Sequence, residues 1–388
     1  MGNKKTEQLD FLFISGPFGL NLTGGDKILV NLAERLQRDR YSVGILFVPQ
    51  VEEYLEENDL RMYKMHLNSA PITIKLFRLI FHTKFGFWTL QILKKLKGNS
   101  RNNLSRRDFK IYFQNLPSHI TSKVTVAVGW RSVIAMHRIS FQTRSESNRY
   151  YFIQHDEDDL SYSGNLSSLV ERTYRFHYRK IVYNEHLQNR FSDERPIRLN
   201  MGLLWKPKDG VPPEKKVGNH VLLVLRSGNS KGAEYAIEAA NIVSSTLQAQ
   251  FRSFGDYNRN IPSFIRHYGW VNERMLSDLY NWASIFVLPS IIEGYSLTAA
   301  EAGSAGCAII ASDCVGVREF IKDSINGFLV PTKSPEAIAS RIIELIEDSQ
   351  KRINFAVNIK NELRNKNFDN TYKEFIDAIL RESKSKRW

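Results

Sequence analysis

The sequence predicts an α/β protein made of two Rossmann-like, doubly wound domains that face each other across a cleft. Three observations lead to this fold class. Apolar runs of strand length alternate with segments of helical periodicity along most of the 388 residues. Both halves open with an apolar strand, a glycine-containing loop and a helix. The chain is also longer than the roughly 250–300 residues at which a single hydrophobic core stops growing.

The first half, residues 1–205, contains the predicted elements of an N-terminal domain. Apolar residues recur at helical spacing between Ile28 and Leu36, and a further helix is predicted after the last strand. The predicted strands lie at residues 11–15, 42–48, 124–129, 149–154 and 180–184. The order strand, loop, helix, strand at its start is the opening of a doubly wound sheet.

Residues 206–218 hold three prolines and differ in composition from their surroundings, which predicts an interdomain hinge. A C-terminal domain is predicted at residues 219–360. Its predicted strands lie at residues 220–225, 248–255, 267–271, 284–290, 308–312 and 327–331. Its predicted helices lie at residues 233–245, around 275–280, from about Ser296, and from Pro335 with Ser334 as N-cap. We expect residues 361–388 to form a C-terminal helix and basic tail that packs back on the N-terminal domain.

The composition indicates a protein of a reducing compartment, and we expect a cytoplasmic location. The only cysteines, Cys307 and Cys314, are too few for a disulfide framework, and both are expected to line a core. No apolar run reaches the ~18 residues of a membrane span. The N-terminus also lacks the long apolar stretch of a secretory signal.

The formal net charge of +13 predicts an anionic partner. Much of the charge lies in an insert at about residues 71–110, where ten Lys or Arg and one acid occur between Lys75 and Lys110 among many apolar residues. This pattern predicts a basic amphipathic helix or helix pair on an anionic membrane surface. The alternative is a surface helix whose apolar face packs on its own domain. A nucleic acid partner is not expected.

Glu293 and Glu301 are the most informative pair of residues. They have seven residues between them, and Glu301 lies about one turn into a predicted helix among alanines and glycine. Because an unpaired buried carboxylate is costly, Glu301 either faces solvent or meets hydroxyl or amide donors. The backbone amides of Tyr295, Ser296 and Leu297 open the same helix and form an anion site between the two carboxylates. Sugar hydroxyls on either side of a phosphate would suit this arrangement.

Arg226 and Lys231 flank the loop after the first strand of the second domain. At the carboxyl end of a strand both cations can face the crevice where open α/β sheets bind ligands, and together they suit a diphosphate. The corresponding glycines of the first domain, Gly24-Gly25, allow close approach of a ligand or simply form a turn. The acidic residues 156–159 could bind a divalent metal, although the two cations make one unnecessary.

The second domain resembles the large retaining glycosyltransferase family 4, whose members have the two-domain GT-B fold. The family signature is E-G-[FY]-[GS], a second Glu after seven residues and E-A-x-x-x-G, and this chain has EGYSLTAAEAGSAGCAII. The chain also has the R-x4-K spacing and a downstream Asn326-Gly327 turn. Within the family, the chain resembles the rhamnan-type glycosyltransferase branch. Two departures, Gly303 for a larger apolar residue and Ala308 for proline, affect only packing.

The resemblance implies that Glu301 holds ribose hydroxyls and that Glu293 holds hydroxyls of the transferred sugar. Arg226 and Lys231 would stabilise the leaving diphosphate, and His155 matches the family's histidine near the donor sugar. The other donor-binding residues that the resemblance implies are Gly24, Gly25, Gly255, Trp270, Val271, Gly294, Tyr295, Ser296 and Leu297.

We therefore expect a hexosyltransferase-type enzyme that acts in cell-surface polysaccharide or glycoconjugate synthesis. It would transfer a sugar from a nucleoside diphosphate donor to a hydroxyl of a glycan or lipid-linked acceptor, with retention and without a metal or other cofactor. Two alternatives remain open. One is a nucleotide-sugar epimerase on the same fold, and the other is a non-catalytic basic binding protein.

Overall fold

The computed structural model describes residues 7–15, 24–47, 110–113, 120–143, 148–159, 166–207 and 210–385. The predicted basic insert at 71–110 lies outside these residues except for Lys110. The chain divides into two compact units. One comprises Met1–Val182, Asp193–Ile197 and Ser385–Trp388, and the other comprises Tyr183–Ser192 and Arg198–Lys384.

The first unit is built on a seven-stranded sheet of order β3-β2-β1-β4-β5-β6-β7. Its strands are β1 (Glu7–Ser15), β2 (Val43–Phe47), β3 (Lys110–Phe113), β4 (Ile120–Val128), β5 (Asn148–Phe152), β6 (Arg179–Val182) and β7 (Ile197–Arg198). Strand β1 pairs in parallel with both β2 and β4, so that Phe13 lies opposite Ile45 and Val126. The order reverses between β1 and β4, which is the mark of a doubly wound sheet.

Helices cover this sheet because their apolar faces need burial. The helices of the first unit are α1 (Gly24–Arg38), α2 (Trp130–Thr143) and α3 (Ser167–Tyr174). The apolar residues that predicted α1 are all buried, namely Ile28, Leu29, Leu32, Ala33 and Leu36. Strand β1 buries an almost continuous run from Phe11 to Ile14, as expected of a parallel strand covered on both faces.

The second unit contains a six-stranded sheet of order β10-β9-β8-β11-β12-β13, in which the paired strands are all parallel. Its strands are β8 (His220–Val224), β9 (Gln250–Phe254), β10 (Ile265–His267), β11 (Ile285–Leu288), β12 (Ala308–Ser312) and β13 (Phe328–Val330). The helices of this unit are α4 (Glu185–Arg190), α5 (Ala233–Thr246), α6 (Glu273–Trp282), α7 (Leu297–Ser304), α8 (Pro335–Glu347), α9 (Ser349–Glu362) and α10 (Phe368–Ser385). The predicted α/β class is therefore confirmed.

The C-terminal helix α10 contacts a segment of its own unit. The Asn200 amide donates to Glu374 at 3.0 Å, and the Gly202 N–H donates to the Thr371 hydroxyl at 2.9 Å. A Cβ on Gly202 would meet the backbone of Asn367, so only glycine permits this close approach. Helix α10 is thereby joined to residues 200–202. The domain boundaries predicted from sequence stay a prediction.

Two details of the elements differ from prediction. The strand expected at residues 267–271 is wrong, because β10 spans Ile265–His267 and the backbone turns at Gly269, where φ is +63°. Helices α2 and α3 and strands β3 and β7 were not predicted. Both cysteines are buried, as expected. Within the described residues, no helix has the length and apolar character needed to cross a bilayer.

Candidate functional site

The candidate site lies at the point where the strand order of the second sheet reverses. Strands β8 and β11 are neighbours there, and their following loops leave the same edge of the sheet. Arg226 follows β8, Lys231 lies just before α5, and Glu293 lies between β11 and α7. Open α/β sheets bind ligands at such a switch point.

Lys231 and Glu293 form an ion pair, with the Lys231 Nζ 2.9 Å from the Glu293 Oε1. Their side chains are only 24% and 19% exposed. Burial opposes ionisation of Glu293, but Lys231, a hydrogen bond from Ser290 and the charge of Arg226 outweigh it, so the pKa of Glu293 is lowered. The predicted cations and the first carboxylate thus form one electrostatic group.

Arg226 lies beside the exposed indole of Trp270. Its guanidinium carbon is 5.4 Å from the ring centroid, and 49% of Trp270 is exposed. The Gly255 N–H donates to the Gly269 carbonyl at 2.9 Å, which brings the loop after β9 against the loop that continues to Val271. A Cβ on Gly255, where φ is +128°, would meet the Leu225 carbonyl. The predicted residues Arg226, Gly255 and Trp270 therefore lie in loops that pack against one another.

The segment that opens α7 is fixed by its neighbours. The Ser296 hydroxyl accepts a hydrogen bond from the Ala299 N–H and caps the helix. The Gly316 N–H donates to the Glu293 carbonyl at 3.0 Å, and the Asn184 amide donates to the Gly294 carbonyl at 3.2 Å. Leu297 is the first helical residue, so its N–H is among those that lack an intrahelical acceptor.

Tyr295 differs from its predicted neighbours because its side chain points into the protein. Only 4% of Tyr295 is exposed, and its ring packs against Phe320 at a centroid distance of 5.1 Å. Its phenol is therefore part of the packing beneath the loop. Only its backbone remains a candidate for ligand contact.

Glu301 is buried, and it meets the hydroxyl donor that its apolar surroundings require. Only 4% of the residue is exposed. The Tyr280 hydroxyl donates to the Glu301 Oε2 at 3.0 Å. Burial, together with the charge of Glu301, raises the pKa of Tyr280 well above 10, so that the phenol stays protonated and donates. Of the two possibilities that the sequence left open, the structure shows the paired one.

Three of the predicted residues belong to the first unit. Gly24 and Gly25 begin α1, and a Cβ on Gly25 would collide with the side chain of Gln154. His155 directly follows Gln154 and is partly buried. The structure therefore brings the glycine pair close to the histidine segment within this unit.

The acidic residues 156–159 do not act as one cluster. Glu157 is turned inward, where its Oε2 accepts from the Tyr151 hydroxyl at 2.7 Å and its N–H donates to the Tyr174 hydroxyl at 2.9 Å. Burial raises the pKa of Glu157 to about 8. Across the described parts of the chain, no group of three His, Cys, Asp or Glu side chains could hold a metal ion.

Sequence reasoning missed several residues that shape the site. Ser290 and Gly316 contact Glu293, Asn184 contacts Gly294, and Tyr280 contacts Glu301. Only Ser290 had a signal in the sequence, since it is a small polar residue shortly after a buried strand. The partners of the other three are far away in sequence, by up to 110 residues for Asn184.

Comparison with known proteins finds a family model that matches part of the second unit. Residues 218–348 match the family model described as glycosyl transferases group 1. An uncharacterised glycosyltransferase of Methanocaldococcus jannaschii is 29% identical over 217 residues, which are 51% of this chain and 53% of that protein. The N,N'-diacetylbacillosaminyl-diphospho-undecaprenol alpha-1,3-N-acetylgalactosaminyltransferase of Campylobacter jejuni is 32% identical over 146 residues, 36% of this chain and 38% of that protein. The chain thus spans about half the length of these relatives or less.

Solved structures of low sequence identity share the fold. Sucrose-phosphate synthase of Thermosynechococcus elongatus has a TM-score of 0.66 at 14% identity and covers 96% of this chain and 99% of its own. HepE of Anabaena, solved in complex with UDP and glucose, has a TM-score of 0.65 at 15% identity with the same coverage. The predicted resemblance to a glycosyltransferase family and the predicted GT-B fold are confirmed. Retention and the rhamnan-type branch stay predictions.

Proposed function

We propose that this chain, whose residues 218–348 match a family model of group 1 glycosyl transferases, transfers a sugar from a nucleoside diphosphate donor to a hydroxyl of a glycan or lipid-linked acceptor. One observation carries the proposal. Arg226, Lys231 and Glu293 lie together at the switch point of the second sheet, inside the segment that matches the family. Named relatives are glycosyltransferases, and HepE was solved with UDP and glucose.

The charges of the site suit a diphosphate leaving group. Arg226 can offer two parallel N–H donors to phosphate oxygens, whereas Lys231 offers a compact charge. A bound diphosphate would draw Lys231 away from Glu293, which would free the carboxylate to accept hydroxyls of the transferred sugar. The N-terminus of α7 adds backbone N–H donors for the charge that grows as the anomeric bond breaks.

The remaining assignments complete the proposal. Glu301 would hold the ribose hydroxyls, and Trp270 and Val271 would lie beside the base. His155 is proposed to act near the transferred sugar, and Gly24 and Gly25 allow backbone approach to a ligand. Retention of anomeric configuration and a role in cell-surface polysaccharide or glycoconjugate synthesis belong to the same proposal. The other residues proposed to contact the donor are Gly255, Gly294, Tyr295, Ser296 and Leu297.

The first experiment identifies the donor and tests the site. Thermal shifts with UDP-, GDP-, ADP- and dTDP-sugars select the nucleotide. Lys231→Ala and Glu301→Ala are then expected to reduce turnover by ~10²-fold or more while the chain stays folded, because each removes a charged contact to the donor. Matched controls are Lys322→Ala and Glu347→Ala, which alter exposed residues outside the site. Full transferase rates in both site variants would contradict the assignment, and donor conversion without acceptor would favour an epimerase.

We further propose that the basic insert at 71–110 holds the enzyme on a membrane that carries the acceptor. The support is its sequence, with ten Lys or Arg and one acid between Lys75 and Lys110. Co-flotation with anionic vesicles at low salt is expected, with loss at high salt and with neutral vesicles. A chain in which six of these cations are replaced by glutamine should not float. Failure of the unaltered chain to float at low salt would contradict the proposal.

A further inference from the structure

We infer that Tyr280 is a positioning residue for the donor nucleotide, because its phenol orients the Glu301 carboxylate and because Trp205 and Lys216 hold Tyr280 in place. The inference rests on the proposed function, in which Glu301 receives the ribose hydroxyls. It adds a residue of helix α6 that carries no part of the signature motif. It also assigns a role to Trp205, which directly precedes the predicted hinge at 206–218, and to Lys216, which lies within that hinge.

The contact between Tyr280 and Glu301 joins two helices within the second unit. Tyr280 is in the last turn of α6 and is fully buried, and Glu301 is in the middle of α7. Their 3.0 Å hydrogen bond places a donor on one carboxylate oxygen. A carboxylate has about four lone-pair positions, so it can accept from Tyr280 and from ligand hydroxyls together.

The ring of Tyr280 is held by three aromatic neighbours. Trp205 stacks on it with centroids 6.3 Å apart and planes 26° from parallel. Phe254 and Phe286 pack edge-to-face with the Tyr280 ring, with ring centroids 6.2 and 6.0 Å from its centroid. A ring enclosed in this way cannot swing without displacing its neighbours. The phenol direction, and with it the hydrogen bond to Glu301, is therefore set by packing.

The backbone of Tyr280 is held by a buried lysine. The Lys216 Nζ donates to the carbonyls of Tyr280 at 2.7 Å and Ala283 at 2.9 Å, and it lies 3.4 Å from the Cys307 Sγ. A cation at the C-terminus of α6 complements both the unpaired carbonyls and the helix dipole. Only 8% of Lys216 is exposed, so the anchor is a built part of the core.

Trp205 and Lys216, at the two ends of the 205–216 segment, thus both contact Tyr280. Trp205 fixes the ring of Tyr280, and Lys216 fixes its backbone. Tyr280 in turn fixes a carboxylate that a packing role alone does not require, because an apolar side chain could fill position 301 without a burial cost. The chain Trp205 and Lys216, Tyr280, Glu301 is a physical link from this segment to the ribose subsite.

The test compares ligands that differ only in a ribose hydroxyl. Dissociation constants of UDP, ADP and GDP and of their 2′-deoxy forms are measured by calorimetry on the full chain. The wild-type protein is expected to prefer the ribo form of its nucleotide, and Tyr280→Phe is expected to reduce this preference by roughly tenfold. Glu301→Gln should remove it, and Tyr280→Phe should change nothing further in that background. Tyr372→Phe, a second buried tyrosine of the same unit, is the control.

The outcomes distinguish failure of the proposed function from failure of the role of Tyr280. If the wild-type protein binds none of the nucleotides, the proposed function and this inference fail together. If it binds with a ribose preference that Tyr280→Phe leaves unchanged, the inference alone fails. A general loss of packing would weaken the ribo and deoxy forms equally, so the ratio distinguishes positioning from stability. Lys216→Met, which leaves the phenol in place, should lower the ratio to a smaller degree, and an unchanged ratio there would remove the segment from the link.

Discussion

Glu157 lies within a strongly acidic run of sequence, yet its carboxyl group is buried. Only 3% of the residue is exposed, the Tyr151 hydroxyl donates to its carboxyl group, and its backbone N–H donates to the Tyr174 hydroxyl. Desolvation favours the neutral carboxyl group, which raises the pKa to about 8, although Tyr151 and the nearby charge of Arg131 oppose this. The folded protein therefore holds a proton on Glu157 at neutral pH that an unfolded chain would release.

This proton predicts a pH-dependent stability. The pKa of Glu157 is about 8 in the folded protein against 4.5 for an ordinary glutamate, so the folded state binds more protons between these values. Stability contributed by Glu157 is complete below pH 4.5 and falls as the pH rises towards 8, by up to about 1.4 kcal/mol per pH unit. Glu157→Gln removes the titration, so urea unfolding should show the variant gaining on wild type from pH 5 to pH 8.

The matched control is Glu347→Gln, which makes the same substitution at an exposed position. At each pH, the free energy of unfolding of the wild type is subtracted from that of the variant. This difference cancels the contributions of the other titrating groups. A constant difference for Glu157→Gln would show that its carboxyl group is ionised in the folded state.

At the scale of elements, periodicity located most helices and strands of the second unit. Strand β12 occupies the predicted residues 308–312, and α8 starts at Pro335 after its Ser334 cap. These succeed because a buried apolar strand and a capped helix start are both local signals. The prediction for strand β10 failed because the run Tyr268-Gly269-Trp270 resembles a strand in sequence, whereas Gly269 has a positive φ and turns the chain.

Gly303 controls how closely α7 packs on α9. A Cβ there would lie 2.9 Å from both the Ile359 Cγ1 and the Leu363 Cδ1. Gly303→Ala should gain less than the ~1 kcal/mol that helix propensity alone would give, because the fully buried, β-branched side chain of Ile359 must shift to admit the new methyl group. Gly303→Leu should destabilise the protein by about 1–3 kcal/mol, because it overpacks the interface. Urea unfolding of both variants measures these changes.

A double-mutant cycle isolates the cause of that effect. Ile359→Ala alone should cost about 2–5 kcal/mol, because it leaves a cavity. Combined with Gly303→Leu it should cost less than the sum, since the new leucine fills that space. Additive losses would show that the overpacking lies elsewhere.

At the scale of the whole molecule, the candidate site could be predicted where its residues are close in sequence. Glu293 and Glu301 lie in one short segment, and Arg226 and Lys231 in another. Their meeting followed from the doubly wound order, which places the loops after β8 and β11 together. Tyr280 could not be found in this way, because its contact with Glu301 depends on how two helices pack and leaves no spacing signal.

Donor binding is expected to stabilise the second unit more than the first. The proposed donor contacts of Arg226, Lys231, Glu293 and Glu301 all belong to the second unit. At 100 times its dissociation constant, a nucleoside diphosphate adds about 2.7 kcal/mol to the opening free energy of the amides that exchange only when this unit unfolds. Hydrogen exchange with mass spectrometry should therefore show the largest protection in peptides covering 226–231 and 290–301. Lys231→Ala should abolish the effect at the same ligand concentration, and equal or greater protection of residues 120–128 would place the donor on the other unit.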